Sequence, residues 1–167
     1  MVVYRIYTYP EKVLKRKAKE IKDINGELQE FIDNMYETMH YASGIGLAAT
    51  QVGEEKALFV ADVPVDENKT RSITIINPVI VEAEGESAME EGCLSIPNFR
   101  IMVKRAGRIV VKGFDREGKD LVLEANGLLA TVIQHEIDHL NGITLLDKAS
   151  LLKREAYIKS LLSKKKG

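Results

Sequence analysis

Two of the three histidines in this sequence stand four residues apart, in the segment Gln134-His135-Glu136-Ile137-Asp138-His139-Leu140. On a helix, this spacing places both imidazoles on one face, about one turn apart. Two neutral imidazole nitrogens can then bind one divalent metal ion, and the carboxylate of Glu136 lies where it can take a proton from metal-bound water. Because short patterns also recur by chance, the hypothesis of a hydrolytic metal site requires a third ligand from elsewhere in the chain.

Cys93 is the best candidate for that third ligand. It is the only cysteine, and it lies in Glu90-Glu91-Gly92-Cys93-Leu94-Ser95-Ile96-Pro97, which we interpret as a loop-like break that exposes the thiol. The downstream alternatives are weak, because Leu145 stands where a metzincin has its third histidine and Glu155 lies on a basic helix. A Cys/His/His set leaves one metal position open for water, as catalytic sites do. A Cys-His nucleophilic pair is the alternative, but it leaves the second histidine unexplained.

The remaining pattern predicts an α+β fold, with short antiparallel or mixed sheets packed around the central histidine helix. That helix is predicted from Asn126-Gly127 to Gly142, after an N-terminal amphipathic helix that runs from Asn25 to Gly44. A C-terminal helix is predicted over 150–165, with its apolar side chains toward the body: Leu151, Leu152, Ile158, Leu161 and Leu162. Runs rich in Val, Ile and Leu predict strands at 57–61, 73–76, 79–83, 108–114 and 120–123.

The chain of 167 residues shows no linker, repeat or low-complexity segment, so we expect a single catalytic domain over 1–167. Its start lacks the apolar region of a secretory signal, and no apolar run approaches the length that crosses a bilayer. A single cysteine forms no internal disulfide, which suits a reducing compartment. We therefore expect a soluble cytoplasmic protein with no membrane partner.

The segment Gly44-Ile45-Gly46-Leu47-Ala48-Ala49-Thr50-Gln51 matches the Gly-x-Gly-x-x-Gly/Ala pattern of dinucleotide sites through Ala49. That pattern requires a preceding strand and a following helix, whereas a predicted helix precedes this segment and Val52-Gly53 follow it closely. We therefore expect no nucleotide cofactor. The two glycines instead indicate a backbone that comes close to packed protein or to an extended ligand.

Three blocks together resemble the peptide deformylase family: residues 44–51, residues 91–95 and residues 134–139. Their order and spacing extend the resemblance over nearly the whole chain, and no motif residue departs from the family pattern. The resemblance implies an α+β enzyme that removes the N-formyl group from the initiator methionine of nascent chains and releases formate. A general zinc endopeptidase and a non-catalytic, metal-stabilised binding domain remain the rival hypotheses.

The resemblance also assigns roles by position. The implied metal ligands are Cys93, His135 and His139. The implied catalytic groups are Glu136, which handles protons, and Gln51 with the backbone N–H of Leu94, which hold the developing oxyanion. It implies one divalent ion, natively Fe²⁺, with Zn²⁺, Ni²⁺ or Co²⁺ as replacements, and a thiolate with two imidazoles suits several of these.

A formyl group is small, so specificity must come from the methionine side chain and the backbone that follows it. Four apolar residues flank the three blocks or share the face of the histidine helix: Ile45, Met89, Leu128 and Val132. We expect them, with the apolar edge of His135, to surround the methionine side chain. Gly44, Ile45 and Gly46 are expected to let an extended peptide pair edge-on with the chain.

Charge is unevenly distributed along the sequence. The net charge is −1, but residues 148–167 carry +6 and leave −7 for residues 1–147. In bacterial members of the family a C-terminal helix helps the enzyme to meet the ribosome, and the basic segment 150–167 is similar in kind. It therefore predicts a contact with ribosomal RNA, with a solvated helix face as the alternative.

Overall fold

The computed structural model describes the backbone of residues 2–166 and the side chains of residues 2–164. Met1, Gly167 and the side chains of Lys165 and Lys166 lie outside the described residues. The helices are α1 (Gly26–Tyr41), α2 (Gly127–Leu140) and α3 (Leu151–Lys166), with short 3₁₀-helices at Lys12–Lys15, Ala49–Val52 and Leu145–Lys148. The strands are β1 (Gly46–Ala48), β2 (Leu58–Asp66), β3 (Lys69–Glu84), β4 (Ser87–Cys93), β5 (Ile96–Arg105), β6 (Arg108–Phe114) and β7 (Asp120–Asn126). The α+β class is confirmed.

The strands form two antiparallel sheets, one of five strands in the order β1-β2-β3-β6-β7 and one of two strands, β4-β5. Strand β2 is buried on both faces. Phe59 and Ala61 pack in the cluster that contains the α2 residues, whereas Leu58 and Val60 pack in the cluster that contains the α1 residues. Because successive side chains of a strand point to opposite faces, α1 and α2 cover opposite sides of the larger sheet.

The helix boundaries follow local backbone chemistry. The side chain of Asn25 accepts a hydrogen bond from the backbone N–H of Leu28 at 3.0 Å, which confirms it as the N-cap of α1. Helix α1 ends at Tyr41, shortly before the predicted Gly44, and Ser43 takes the left-handed conformation that breaks it. Helix α2 begins at Gly127, and Gly142 has a φ of 74° just after its end, as predicted.

The two strands predicted at 73–76 and 79–83 are parts of one strand, β3. The pair Asn77-Pro78 was expected to form a turn, but it forms an irregularity inside β3, where the register with β6 shifts. Asn77 adopts a φ of 53°, which an Asn tolerates, and its side chain exchanges two 2.9 Å hydrogen bonds with the backbone of Ile21. The strand therefore continues past its proline.

The interpretation of residues 90–97 as a loop-like break is wrong. Residues 90–93 end strand β4 and residues 96–97 begin strand β5, so only Leu94 and Ser95 form the connection. The sequence of strand β5 does alternate in hydropathy. Phe99, Ile101 and Val103 point into a buried cluster, and the residues between and after them are exposed. Alternation of this kind is typical of a half-buried strand.

Helix α3 lies against the β4-β5 hairpin through Tyr157 and Leu161. The hydroxyl of Tyr157 donates a 2.9 Å hydrogen bond to the carbonyl oxygen of Pro97. The expectation that all five apolar residues of this helix face the body is wrong, since three are exposed: Leu151, Leu152 and Leu162. No helix in the described part of the chain has the length and hydropathy that a membrane span needs.

Candidate metal centre and substrate cleft

Helix α2 and the end of β4 bring three potential metal ligands into contact. The Nε2 atoms of His135 and His139 are 3.2 Å apart, and the Sγ atom of Cys93 lies 3.2 Å from Nε2 of His139. All three donor atoms fall within 4.8 Å of one another. Cys93 stands at a register shift that follows Gly92 in the hairpin, 46 residues before His139 in the chain. The structure thus brings together the three residues that the sequence predicted as ligands.

A single metal ion fits this donor set. Two nitrogen ligands at about 2.0–2.1 Å from a tetrahedral ion lie roughly 3.3 Å from each other. The two Nε2 atoms are 3.2 Å apart, which agrees with that spacing. A thiolate with two imidazoles suits several first-row metals and leaves a fourth position for water or substrate.

A buried ion-pair network orients His135, one of the three potential ligands. Nδ1 of His135 lies 2.9 Å from Oε1 of Glu91, and Arg105 donates to the same carboxylate through Nε at 2.7 Å and Nη2 at 2.9 Å. Arg105 also donates through Nη1 to Asp138 at 2.8 Å. Because Glu91 occupies Nδ1 of His135, the lone pair of Nε2 is directed toward Cys93 and His139.

The charge state of Glu91 follows from the same contacts. Burial by itself would raise the pKa of Glu91, but hydrogen bonds from His135 and Arg105 outweigh it and lower that pKa below its ordinary value. Glu91 therefore remains an anion and accepts a hydrogen bond from Nδ1–H of His135. The roles of Glu91, Arg105 and Asp138 were not predicted from the sequence, since the contacts of this network join residues up to 44 positions apart in the chain.

Glu136 lies at the wall of a cleft beside the three donors. Its side chain is buried, and its Oε1 atom finds no hydrogen-bond partner among the described residues. Burial raises the pKa of Glu136 to about 7. Strand β1 passes so close that a Cβ atom on Gly46 would overlap the carboxylate, so any other residue at this position would displace the side chain of Glu136.

The side-chain amide of Gln51 has a fixed orientation next to Cys93. Its Oε1 atom accepts a 2.9 Å hydrogen bond from the backbone N–H of Ala48. Its Nε2 atom therefore faces the other way, 3.0 Å from the hydroxyl of Ser95 and 3.7 Å from Sγ of Cys93. The amide is almost completely buried, and its donor edge lies toward the metal ligands.

One cleft of about 510 Å³ is lined by Gln51, Cys93, His135 and Glu136. The residues predicted to bind substrate all line it: Gly44, Ile45, Gly46, Met89, Leu128 and Val132. Leu94 lines it too, and Thr131 and Phe99 are wall residues that the sequence analysis did not single out. The third histidine, His40, lies outside this cleft and pairs with Asp62 at 2.9 Å.

Residues 3–155 match the family described as Polypeptide deformylase. The chain belongs to the polypeptide deformylase family. A peptide deformylase from Thermodesulfovibrio yellowstonii is 54% identical over 165 residues, which cover 99% of this chain and 100% of that relative. The expected resemblance is therefore confirmed over almost the whole chain.

Solved structures of peptide deformylases share the fold. The crystal structure of the enzyme from Legionella pneumophila superposes with a TM-score of 0.91 at 40% identity, and the match covers 99% of this chain and 96% of that chain. The enzyme from Ehrlichia chaffeensis in complex with actinonin superposes with a TM-score of 0.93 at 37% identity, covering 100% of both chains. The chain is accordingly a hydrolase, and deformylation is its enzymatic activity. The family depends on a metal, which agrees with the Cys/His/His cluster.

Proposed function

We propose that the cleft hydrolyses the formyl group of N-formylmethionine at the start of nascent polypeptides and releases formate. The observation that carries this proposal is the contact among Sγ of Cys93 and the Nε2 atoms of His135 and His139, beside the buried carboxylate of Glu136. These three donors are the proposed metal ligands. Hydrolysis of an amide needs a base beside an electrophilic centre, and here Glu136 is the base, while a metal ion held by the three donors would be the electrophilic centre.

The residues of the cleft have separate roles in the proposed reaction. A divalent cation held by the three ligands supplies Lewis acidity, which lowers the pKa of water and polarises a carbonyl group. Glu136 accepts the proton of the water that attacks the formyl carbon, and it returns that proton to the leaving amine when the formamide C–N bond breaks. A base with a pKa near the working pH serves both steps, and burial gives Glu136 a pKa of about 7.

Gln51 and the backbone N–H of Leu94 are the proposed donors to the developing oxyanion. The hydrogen bond from Ala48 to Oε1 of Gln51 supports this role, because it directs the Nε2 donor toward the ligand side of the cleft. A donor that is fixed before the reaction loses no free energy in reorientation as charge develops.

Replacing Gln51 with leucine is expected to lower kcat about 100- to 1,000-fold, as the loss of one oxyanion donor does in other hydrolases. Bound metal should stay at the wild-type level, because the amide is not one of the proposed ligands. Gln29→Leu is the matched control, since Gln29 lies on α1 against Arg116 and away from the cleft. Steady-state kinetics with metal analysis check both variants, and near-normal turnover of Gln51→Leu would contradict the role.

Ile45, Met89, Leu128 and Val132, with the apolar edge of His135, form the proposed methionine pocket. Their shared position around one cleft supports this, as does the exposure of Leu128, which is unusual for a leucine on a central helix. Strand β1 lies at the edge of the larger sheet and has β2 as its partner. An extended peptide is proposed to pair with residues 44–46 at this edge, through backbone groups other than the Gly44 N–H and the Ile45 carbonyl, which bond to Met39 and Asp62.

One assay distinguishes this function from its rivals. Purified protein is loaded with Fe²⁺ under anaerobic conditions, or with Zn²⁺, Ni²⁺ or Co²⁺, and mixed with formyl-Met-Ala-Ser or with the unformylated peptide. Formate release from the first peptide alone supports the proposal. Internal cleavage of either peptide would indicate an endopeptidase, and bound metal without turnover would indicate a binding domain.

Fe²⁺ is the proposed native ion, and the mixed sulfur and nitrogen donor set supports it without excluding the other three ions. We further propose that residues 1–167 act as one catalytic domain in the cytoplasm, where nascent chains appear. The three apolar clusters support a single domain, because all three involve elements that line or support the cleft. Reconstitution with each ion and comparison of turnover per bound metal tests the choice of metal.

Helix α3 is the proposed contact with ribosomal RNA. Its exposed side chains include both leucines and lysines, among them Lys153, Lys159 and Lys164. Deleting residues 150–167 would also remove the packing of Tyr157 on β5. Reversing the charge of exposed lysines on α3 therefore tests the RNA contact with less effect on the fold. Contacts with phosphate groups make binding depend on salt. The logarithm of the binding constant falls with the logarithm of the salt concentration, with a slope of about −0.7 to −0.9 for each phosphate that is neutralised.

Changing Lys153, Lys159 and Lys164 to glutamate is expected to weaken ribosome binding and to flatten its salt dependence, while turnover of a free formyl peptide is retained. The matched control reverses three exposed lysines elsewhere: Lys17, Lys22 and Lys69. Sedimentation with ribosomes at increasing salt measures the effect. Equal binding by the α3 triple variant and the wild type would favour a solvated helix face.

A further inference from the structure

Thr131 places a hydroxyl group in the wall of the substrate cleft. It lies on α2, its side chain is buried, and it lines the cleft together with Leu128 and Val132. The hydroxyl donates a hydrogen bond at 3.6 Å to the thioether sulfur of Met89, which reaches it from strand β4. A hydroxyl group and a sulfur atom therefore meet in a region whose other proposed pocket residues are mainly apolar.

The partner of this hydroxyl is unusual. A threonine within a helix commonly donates to a backbone carbonyl of the preceding turn, whereas Thr131 donates away from its own helix. A thioether is a weak acceptor, and a buried hydroxyl needs an acceptor of some kind. Met89 meets that need with a side chain that is flexible and easily displaced.

We propose that Thr131 determines specificity by donating its hydrogen bond to the thioether sulfur of the substrate's methionine side chain. This inference rests on the proposed function of the cleft. Without substrate, Met89 offers Thr131 a sulfur of the same chemistry as the one that the substrate brings. A hydroxyl has one proton to donate, so the sulfur of Met89 and that of the substrate compete for it.

Norleucine isolates this effect, because it has the length of methionine but carries a methylene group in place of the sulfur. Leu128 and Val132 offer the same apolar contact to either side chain. The hydroxyl of Thr131 is therefore the group that can discriminate methionine from norleucine. The wild-type protein is expected to favour formyl-Met-Ala-Ser over formyl-norleucyl-Ala-Ser in kcat/KM by only about twofold, the lower end of the effect of one net hydrogen bond, because the substrate sulfur must displace the sulfur of Met89.

The test compares this ratio in three variants of the metal-loaded protein. Thr131→Val removes the hydroxyl and should bring the ratio close to one, whereas Thr131→Ser keeps the hydroxyl and should keep the preference. Met89→Leu removes the competing sulfur at similar volume and should raise the ratio above that of the wild type. Because each ratio is formed within one variant, a general loss of activity or of folded protein cancels.

Titration calorimetry with the two unformylated product peptides gives a second readout that does not depend on turnover. The peptide with methionine should bind more tightly to the wild type, and Thr131→Val should remove the difference. Equal ratios in the wild type and Thr131→Val would overturn the role of Thr131 but leave deformylation intact. No formate from either peptide would overturn the proposed function and this inference with it.

Discussion

Replacing Glu136 with glutamine is expected to lower kcat by about 10²- to 10⁴-fold, which is the contribution of a well-placed general acid–base group. Glutamine has nearly the same shape but accepts no proton at neutral pH, so the attacking water loses its base and the leaving amine loses its acid. The buried carboxylate has an oxygen without a hydrogen-bond partner in the described part of the chain, so no structural hydrogen bond of that atom is lost. Metal content should remain at the wild-type level.

A matched control separates catalysis from a general effect of removing a carboxylate. Glu124→Gln makes the same chemical change on the exposed face of strand β7, where Glu124 pairs with Arg108 outside the cleft. We expect this variant to keep wild-type turnover. Formate release and metal content, measured in parallel, check the pair. Turnover of Glu136→Gln within a few fold of the wild type would exclude Glu136 as the proton carrier.

The local features of the site were predictable from the sequence. The spacing of His135 and His139 predicts a helix with both imidazoles on one face, and the cap at Asn25 and the stop at Gly142 depend on neighbouring residues alone. Such signals need no knowledge of distant contacts, because they follow from the backbone of a single turn. They were confirmed.

The hairpin that carries Cys93 was missed because polar residues dominate its first strand. Glu90 is exposed and pairs with Arg100, whereas Glu91 is buried against Arg105. A glutamate at a buried strand position contradicts the alternation that predicts strands. Its stability there depends on a cation from the neighbouring strand, 14 residues later in the chain.

Arg105 shows why the support of the ligands was not predictable. It occupies the inward position that follows Ile101 and Val103 in strand β5, where an apolar residue is expected. Its buried guanidinium connects Glu91 on β4 with Asp138 on α2 and so links the two elements that carry the proposed ligands. The fold brings these three charged residues together from distant parts of the chain, so their contact produces no periodic pattern in the sequence. The contact nevertheless matters for stability, because removing one partner of a buried ion pair typically destabilises a protein by about 3–5 kcal/mol.

Replacing Cys93 with serine is expected to remove most of the bound metal and, with it, nearly all turnover. A serine hydroxyl stays protonated at neutral pH, whereas a thiol beside a cation becomes a thiolate, which is the form that binds metal. Loss of an outer carboxylate such as Glu91 typically lowers metal affinity about 10- to 100-fold, and loss of a direct ligand should exceed that. Metal analysis after dialysis, with Co²⁺ and its sulfur charge-transfer absorption as a spectroscopic probe, measures the effect.

The three variants of the site are expected to differ in whether they keep bound metal when they lose turnover. That difference tests which residues bind the metal and which act only in catalysis. Cys93→Ser should lose metal and turnover together, whereas Glu136→Gln and Gln51→Leu should keep metal and lose turnover. His40→Gln is the control for histidine content, because His40 pairs with Asp62 outside the cleft and should keep both. Full metal occupancy of Cys93→Ser at wild-type turnover would mean that the ion is held without the thiolate. The contact between Sγ of Cys93 and Nε2 of His139 at 3.2 Å would then need a purely structural explanation.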